Sequence, residues 1–367
     1  MRIAISSFNS PWALTGGVEV HAWEISKALA ALGNEVHYFF SGTDDQITQS
    51  ERDNITLHTV KTPFWNILSP NKRRLGLQHF NKKVQNEVQK WKCDIFHSQN
   101  FDGMTLVPCR IPTYVTVHTT PYVRYLRSLE SFPKGFCNSL VTYHEYCVCK
   151  KASKYAEFIS ISEGVRSELM KYHSVNSTVI PNGVNIPKII PKEQARSYLG
   201  IGGWQKVVLF FSRVTKQKGA HKLLEVLKHQ PDMGLLIAGD GPYLPEIKRK
   251  VLADRLENRV KMFGFVPPED LQYIFSASDC FALPSDQVEG QPITILEAMS
   301  YNLPCYVTDI EWVPNYLRQH AVSGDLMSGI EKVLRMGGNE IQVLTWVDVA
   351  SKFCEIYENT VVSKSVG

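Results

Sequence analysis

Two carboxylates, Glu289 and Glu297, stand with seven residues between them and flank the segment Gln291-Pro-Ile-Thr294. An apolar run ends just before at Leu283, a Pro-Ser turn follows, and Gln-Pro opens a helix. Pro292 suits the first helical position, where its missing N–H costs nothing and its φ is already helical. The N–H groups of Ile293 and Thr294 then point out of the helix start and, with the helix dipole, offer an anion site. An anion cradle with a carboxylate on either side suits a sugar nucleotide, with phosphate on the N–H groups and hydroxyls on the carboxylates.

Arg213 and Lys218, the latter followed by Gly219, add a planar fork and a point charge, a complementary pair for phosphate oxygens. Taken singly they are ordinary surface charges, and Glu297 alone is an ordinary helix residue. Together with the strand-loop-helix context they describe a nucleotide-sugar site. Breaking a glycosyl phosphate bond leaves negative charge on the departing diphosphate. No Asp-x-Asp offers to hold a metal, so two fixed cations and a helix start must stabilise that charge. In the first half, Gly16-Gly17 lets the backbone approach a ligand, although a tight turn explains the pair equally well. His97 and His118 fall near strand ends, and Thr119-Thr120-Pro121 after His118 marks the end where sites form.

The elements that must position these groups repeat one rhythm. Arg2–Ser7 is a buried strand, Thr15–His21 a glycine loop, and Trp23, Ile25, Leu29 and Leu32 trace a helix stopped by Gly33. Val36–Phe40 is the next strand, which completes a βαβ unit and predicts a parallel sheet. The loop is not Gly-x-Gly-x-x-Gly, which argues against a dinucleotide dehydrogenase. Residues 61–92 predict a loop and a polar helix. Residues 94–98, 113–118 and 158–160 predict strands, with Ser162 capping a helix, and Asn182-Gly183 predicts a turn. Pro187 and Pro191 mark a linker. Strands at 206–211, 234–238 and 260–263, with helices through Leu223–Leu227 and Ile274–Ala277, then restart the pattern.

At 367 residues two domains are the natural expectation, and 44% hydrophobic with 21% charged residues is ordinary globular composition. The net charge of +4 is mild, and nucleic acid is not an expected partner. The first half carries about five more basic than acidic side chains, including Lys72-Arg-Arg74 and Lys82-Lys83. This is a solvated helix face or, beside Phe64 and Trp65, a weak dock for an anionic membrane surface or a lipid acceptor. Eight cysteines, at 93, 109, 137, 147, 149, 280, 305 and 354, are scattered through apolar runs as reduced thiols, and Cys147-Val-Cys149 lacks a second pair for zinc. No signal peptide precedes the first strand and no apolar run reaches transmembrane length, so a soluble cytoplasmic protein is expected, peripheral at most to the inner face of the membrane.

These pieces together resemble the retaining glycosyltransferases of the GT-B class, family 4 type. Five motifs in order carry the resemblance: Gly16-Gly17 with Glu19 and His21; Val115-Thr-Val-His118; Ile180-Pro-Asn-Gly-Val184; Arg213 with Lys218-Gly219; and Glu289 with Glu297. The resemblance implies two Rossmann-like domains facing each other across a cleft, with residues 1–184 binding the acceptor and 185–345 the nucleotide sugar. A last helix, 346–367, crosses back to the first domain. It implies that Arg213 and Lys218 grip the donor diphosphate, Glu289 contacts the transferred sugar and Glu297 accepts the ribose hydroxyls. Val266 lies against the base, Gly17 faces the phosphates, Gln291 borders the sugar, and His118 lines the reaction centre. Gly16, His21 and His118 border the acceptor. No metal or other cofactor is implied. One departure stands out: Asp309 is followed by Ile310-Glu-Trp-Val-Pro314 in place of a glycine pair and a glutamate, and the segment after Tyr316 is compressed.

The expected activity is metal-independent, retaining transfer of a hexose from a nucleoside-diphosphate sugar to a saccharide or lipid-linked acceptor hydroxyl in polysaccharide or glycoconjugate biosynthesis. UDP-sugars are the first expectation and GDP-mannose the second. The rivals are nucleotide-sugar hydrolysis or 2-epimerisation on the same fold, and a non-catalytic nucleotide-sugar-binding partner subunit.

Overall fold

Short apolar runs become strands here wherever helices can cover both of their faces. The computed structural model describes residues 1–12, 16–50, 54–62, 70–99, 108–123, 149–337 and 339–365. The chain divides into two units, Met1–Gly183 with Trp346–Gly367, and Val184–Thr345.

In the first unit the elements are β1 (Arg2–Ser6), α1 (Gly17–Ala31), β2 (Glu35–Gly42), β3 (Gln46–Ser50), β4 (Ile55–Lys61), α2 (Pro70–Lys90), β5 (Ile95–Gln99), β6 (Thr113–Val117), β7 (Glu157–Ser160), α3 (Glu163–Glu168) and β8 (Thr178–Val179). They form one sheet in the order β3-β4-β2-β1-β5-β6-β7-β8, parallel except for β3 at its edge. Ile3, Ile5, Val36, Phe39, Phe96, Val115 and Val117 are buried in it. Gly33, at φ 85°, follows the end of α1, and the Ser162 hydroxyl accepts from the Val165 N–H to cap α3. The β3–β4 pair was not visible in the sequence pattern, because Gln46–Ser50 alternates weakly and carries its one large apolar residue, Ile47, outward.

The helix expected in residues 61–92 is α2. It buries Leu77, Phe80, Val84 and Val88, spaced as one helical face, so it packs on its own domain. On its other side Lys83 pairs with Asp45 at 2.9 Å and Lys90 with Glu87 at 3.3 Å. Phe64 and Trp65 lie outside the described residues, as do Cys137 and Cys147. Cys93, Cys149, Cys280 and Cys305 are buried free thiols, and Cys109 and Cys354 are partly buried.

The second unit holds α4 (Lys192–Tyr198), β9 (Lys206–Phe211), α5 (Ala220–His229), β10 (Met233–Ala238), α6 (Leu244–Ala253), β11 (Val260–Gly264), α7 (Pro268–Ala277), β12 (Cys280–Leu283), α8 (Ile293–Ser300), β13 (Cys305–Val307), β14 (Ala321–Val322) and α9 (Leu326–Arg335). Its six strands are all parallel in the order β11-β10-β9-β12-β13-β14. Leu223, Leu224 and Leu227 of α5 are fully buried, and each contributes about 2 kcal/mol of burial free energy. Asp279, leading into β12, gathers the Arg196 guanidinium at 2.6 Å and the Val207 N–H at 2.7 Å. The compressed segment takes the form of two 3₁₀ turns, Ile310–Trp312 and Asn315–His320, and then β14, which is only two residues long.

The last helix, α10 (Trp346–Ser365), belongs to the first unit and packs on α1. Val349, Ala350, Phe353 and Tyr357 form its buried face. The Tyr357 hydroxyl lies 2.5 Å from His97 Nδ1, and the Tyr114 hydroxyl 2.6 Å from Thr360 Oγ1. Among the described residues no helix is long and apolar enough to cross a membrane.

Candidate functional site

Open parallel sheets bind ligands where the strand order reverses, beyond the carboxyl ends of the strands. In the second unit the reversal falls between β9 and β12. The loop after β9 carries Arg213 and Lys218, and the loop after β12 carries Glu289.

Arg213 is exposed and its side chain makes no hydrogen bond or ion pair among the described residues, whereas its neighbour Val214 is fully buried and anchors the loop. The Thr215 side chain accepts from the Lys218 N–H and caps a single 3₁₀ turn, Lys216–Lys218. Gly219 follows at φ 82°, and a Cβ there would sit 2.1 Å from the carbonyl oxygen of Pro284, so only glycine lets the two loops meet. The Asp286 N–H donates to the Gln217 carbonyl at 2.7 Å across the same junction. This closure brings Lys218 Nζ to 2.6 Å from Glu289 Oε1, with the two side chains 17% and 12% exposed. The Ser285 hydroxyl donates to the same carboxylate oxygen at 3.2 Å and accepts from the Gln287 N–H at 3.1 Å.

Pro292 stands one position outside the place expected for it. Its ψ of 121° is extended, which makes it the N-cap, and α8 begins at Ile293. Ile293 and Thr294 thus supply the first helical N–H groups, and no side chain caps that end. Gln291 is buried on the approach to the helix, and Glu297 is partly buried in its second turn. Val266 is 9% exposed and packs into the hydrophobic core. Its neighbour Phe265 is 68% exposed, beside Gly264, whose carbonyl accepts from the Gly239 N–H at 2.7 Å.

In the first unit the reversal lies between β1 and β5. Gly16 is the extended N-cap of α1 and Gly17 its first residue, both exposed. Glu19 in the first turn is buried, and its Oε1 accepts from Asn9 Nδ2 at 2.5 Å. Two residues on, His21 is fully buried, with Nδ1 donating to Asn182 Oδ1 at 2.9 Å. Its ring meets the His118 ring edge to face at 4.7 Å and the Trp346 ring at 5.6 Å. His21 therefore backs His118 in this structure and shows no surface of its own. His118 follows β6, keeps 7% of its surface, and places Nε2 3.0 Å from Gln99 Oε1. His97 lies between the Tyr357 hydroxyl and Thr116 Oγ1.

Burial pushes the His21 pKa down to about 4, against a small opposing effect of its Asn182 bond. Burial likewise pushes His97 down to about 3. It holds His118 well below the ordinary histidine value, with repulsion from His21 and His97 acting in the same direction. These three rings are neutral at pH 7. Among the described residues no group of three His, Cys, Asp or Glu side chains is arranged to hold a metal ion.

The fold thus joins Lys218 to Glu289 and His21 to His118, leaves Arg213 as an exposed cation, and packs Val266 inward. Four residues at these places escaped the sequence. Asn182 reads as a turn residue and as part of the Ile180–Val184 motif, with no role of its own, and in the fold it holds His21. Ser285 lay in a turn dipeptide. Phe265 lay within the Gly264–Val266 stretch expected around the base but had no role of its own, and Gln99 carried no signal.

Residues 15–187 match the family described as Glycosyltransferase Family 4, and residues 191–328 match Glycosyl transferases group 1. An alpha-monoglucosyldiacylglycerol synthase of Streptococcus pneumoniae (strain ATCC BAA-255 / R6) is 26% identical over 346 residues, covering 86% of this chain and 75% of its own. Among solved structures, sucrose-phosphate synthase from Thermosynechococcus elongatus superposes with a TM-score of 0.79 at 19% identity, over 99% of each chain. The Anabaena protein HepE in complex with UDP and glucose superposes with a TM-score of 0.70 at 19% identity, over 98% of this chain and 100% of its own.

Proposed function

Since the chain belongs to the group 1, family 4 glycosyltransferases and is an enzyme of that class, we propose that it moves a hexose from a nucleoside-diphosphate sugar to an acceptor hydroxyl with retention of configuration. The observation that carries this is the Lys218–Glu289 contact of 2.6 Å at the reversal of the sheet. A cation suited to phosphate and a carboxylate suited to sugar hydroxyls share one point, as a donor with its sugar folded back on its diphosphate requires.

In the proposed step the bond from the anomeric carbon to the diphosphate oxygen breaks and the acceptor oxygen bonds to that carbon on the same face. The acceptor proton goes to the departing phosphate. Arg213, Lys218 and the N–H groups of Ile293 and Thr294 take up the developing negative charge without a divalent metal. Glu297 receives the ribose diol, Gln291 borders the sugar, and the base lies against the backbone from Gly264 to Val266, whose own side chain packs inward. In the first unit His118, backed by His21, accepts a substrate hydroxyl. Gly16 borders the acceptor.

A UDP-sugar is the proposed donor, supported by the likeness of the fold to HepE, which was solved with UDP and glucose. A lipid-linked or membrane-lipid hydroxyl is the proposed acceptor, supported by the relative named as a synthase of monoglucosyldiacylglycerol. Such an acceptor calls for peripheral contact of the cytoplasmic enzyme with a bilayer. The test is a melting panel of UDP-, GDP- and ADP-hexoses, followed by transfer from the stabilising donor to lipid acceptors with EDTA present. A UDP-hexose that raises Tm and is transferred under EDTA supports the proposal. Donor hydrolysis or epimerisation with no acceptor required overturns it.

A further inference from the structure

His118 has one hydrogen-bond partner among the described residues, and that partner is a side chain with no part in the function proposed above. Gln99 ends β5, is fully buried, and sets Oε1 3.0 Å from His118 Nε2. Residues 99 and 116 are paired in the parallel register of β5 and β6, so the sheet itself holds Gln99 alongside the strand that delivers His118. An amide oxygen only accepts, so the hydrogen of the contact sits on Nε2. A neutral imidazole carries one N–H, which leaves Nδ1 with a bare lone pair.

The other groups around the ring do not compete for this assignment. His21 meets it edge to face and spends its own Nδ1–H on Asn182. His97 is engaged with two hydroxyls, those of Tyr357 and Thr116. No carboxylate shares a hydrogen bond with His118 among the described residues, so nothing in direct contact draws a second proton onto it.

We propose that Gln99 is a positioning residue that fixes the tautomer of His118, keeping the proton on Nε2 and presenting Nδ1 as an acceptor for a substrate hydroxyl. The proposal rests on the placement of His118 at the reaction centre, but the tautomer can be read without any turnover. Losing Gln99 allows the proton to move to Nδ1, which turns an acceptor into a donor facing a donor hydroxyl.

The experiment is nitrogen NMR of the ¹⁵N-histidine-labelled full chain, with the His118 signals assigned by their loss in His118→Ala. A protonated Nε2 and an unprotonated Nδ1 at neutral pH support the proposal, and a proton on Nδ1 overturns it. Gln99→Leu is expected to mix the tautomers and to lower kcat by about tenfold, the size of one lost hydrogen bond in the transition state, with little change in KM for the donor. Gln99→Glu keeps an acceptor at the same place, so it is expected to restore the Nε2–H tautomer and move the acid limb of the pH–rate profile to higher pH. A Leu variant that retains the wild-type tautomer and kcat overturns the role of Gln99. A fully active His118→Ala would instead remove His118 from the reaction centre, while the spectra would still decide what Gln99 does to the ring.

Discussion

Lys218 Nζ and Glu289 Oε1, 71 positions apart in sequence, meet at 2.6 Å, and so the cation proposed for phosphate and the carboxylate proposed for the sugar neutralise one another. Neither group can be altered without releasing the other. Lys218→Ala and Glu289→Ala are each expected to lower kcat/KM by about 100-fold, and the double variant by much less than the product of the two. Each single change also leaves a poorly solvated charge without its partner, a cost of about 1–3 kcal/mol. Melting curves should show the double variant recovering part of that loss.

Arg213 stands in the opposite situation, with no protein partner to lose. Arg213→Ala is expected to leave Tm within about a degree and to lower kcat/KM by about 100-fold, because the proposed two-pronged phosphate contact disappears. Arg213→Lys should recover only part of the activity, since an ammonium cannot reproduce the planar fork. Steady-state kinetics beside calorimetry separates the two effects.

Gly219→Ala tests the loop junction. The new methyl would meet the Pro284 carbonyl at 2.1 Å, at a φ of 82° that costs a side chain about 1–3 kcal/mol. The expected result is a lower urea midpoint together with loss of transfer, because the shift that relieves the clash also separates Lys218 from Glu289. Gly202→Ala, where the added Cβ meets nothing, is the control and should change neither.

The buried histidines set the pH response of folding. His21, with its pKa pushed down to about 4 in the fold, binds a proton less readily than in the unfolded chain, where the ordinary value is 6.5. Its contribution is complete above pH 6.5 and is lost as pH falls from 6.5 toward 4. Between pH 7 and pH 5 the folded state should lose about 2 kcal/mol from this residue. His58, pushed down to about 4 mainly by burial, acts in the same direction. Urea titrations at the two pH values should show a smaller difference in His21→Gln than in the wild type.

Much of this architecture is legible from apolar runs alone, because parallel strands covered on both faces need little else. Lys206–Phe211 and Met233–Ala238 are such runs, and they lie side by side in the sheet. Edges are harder to see. Gln46–Ser50 has one covered neighbour and a polar pattern, and β14 is two residues held by β13. Local rules misplaced Pro292 by one position, since proline suits an N-cap and a first turn equally. They read Asn182-Gly183 as a turn because nothing nearby in sequence reveals His21, 161 positions away. The cations and carboxylates were legible as types and spacing. Of what supports them, Ser285 lies four residues from Glu289 in the same loop, whereas Gln99 stands beside His118 through the β5–β6 register, which only the folded sheet supplies.

The segment Trp346–Ser365 fills a face of the first unit although it is made after the whole of the second. On the ribosome the middle of the chain can therefore reach its final form while the opening half still waits for its last helix. Until that helix arrives, His97 lacks Tyr357 and the ring behind His118 lacks Trp346. The surroundings of these histidines are therefore completed only after residues 184–345 have been made.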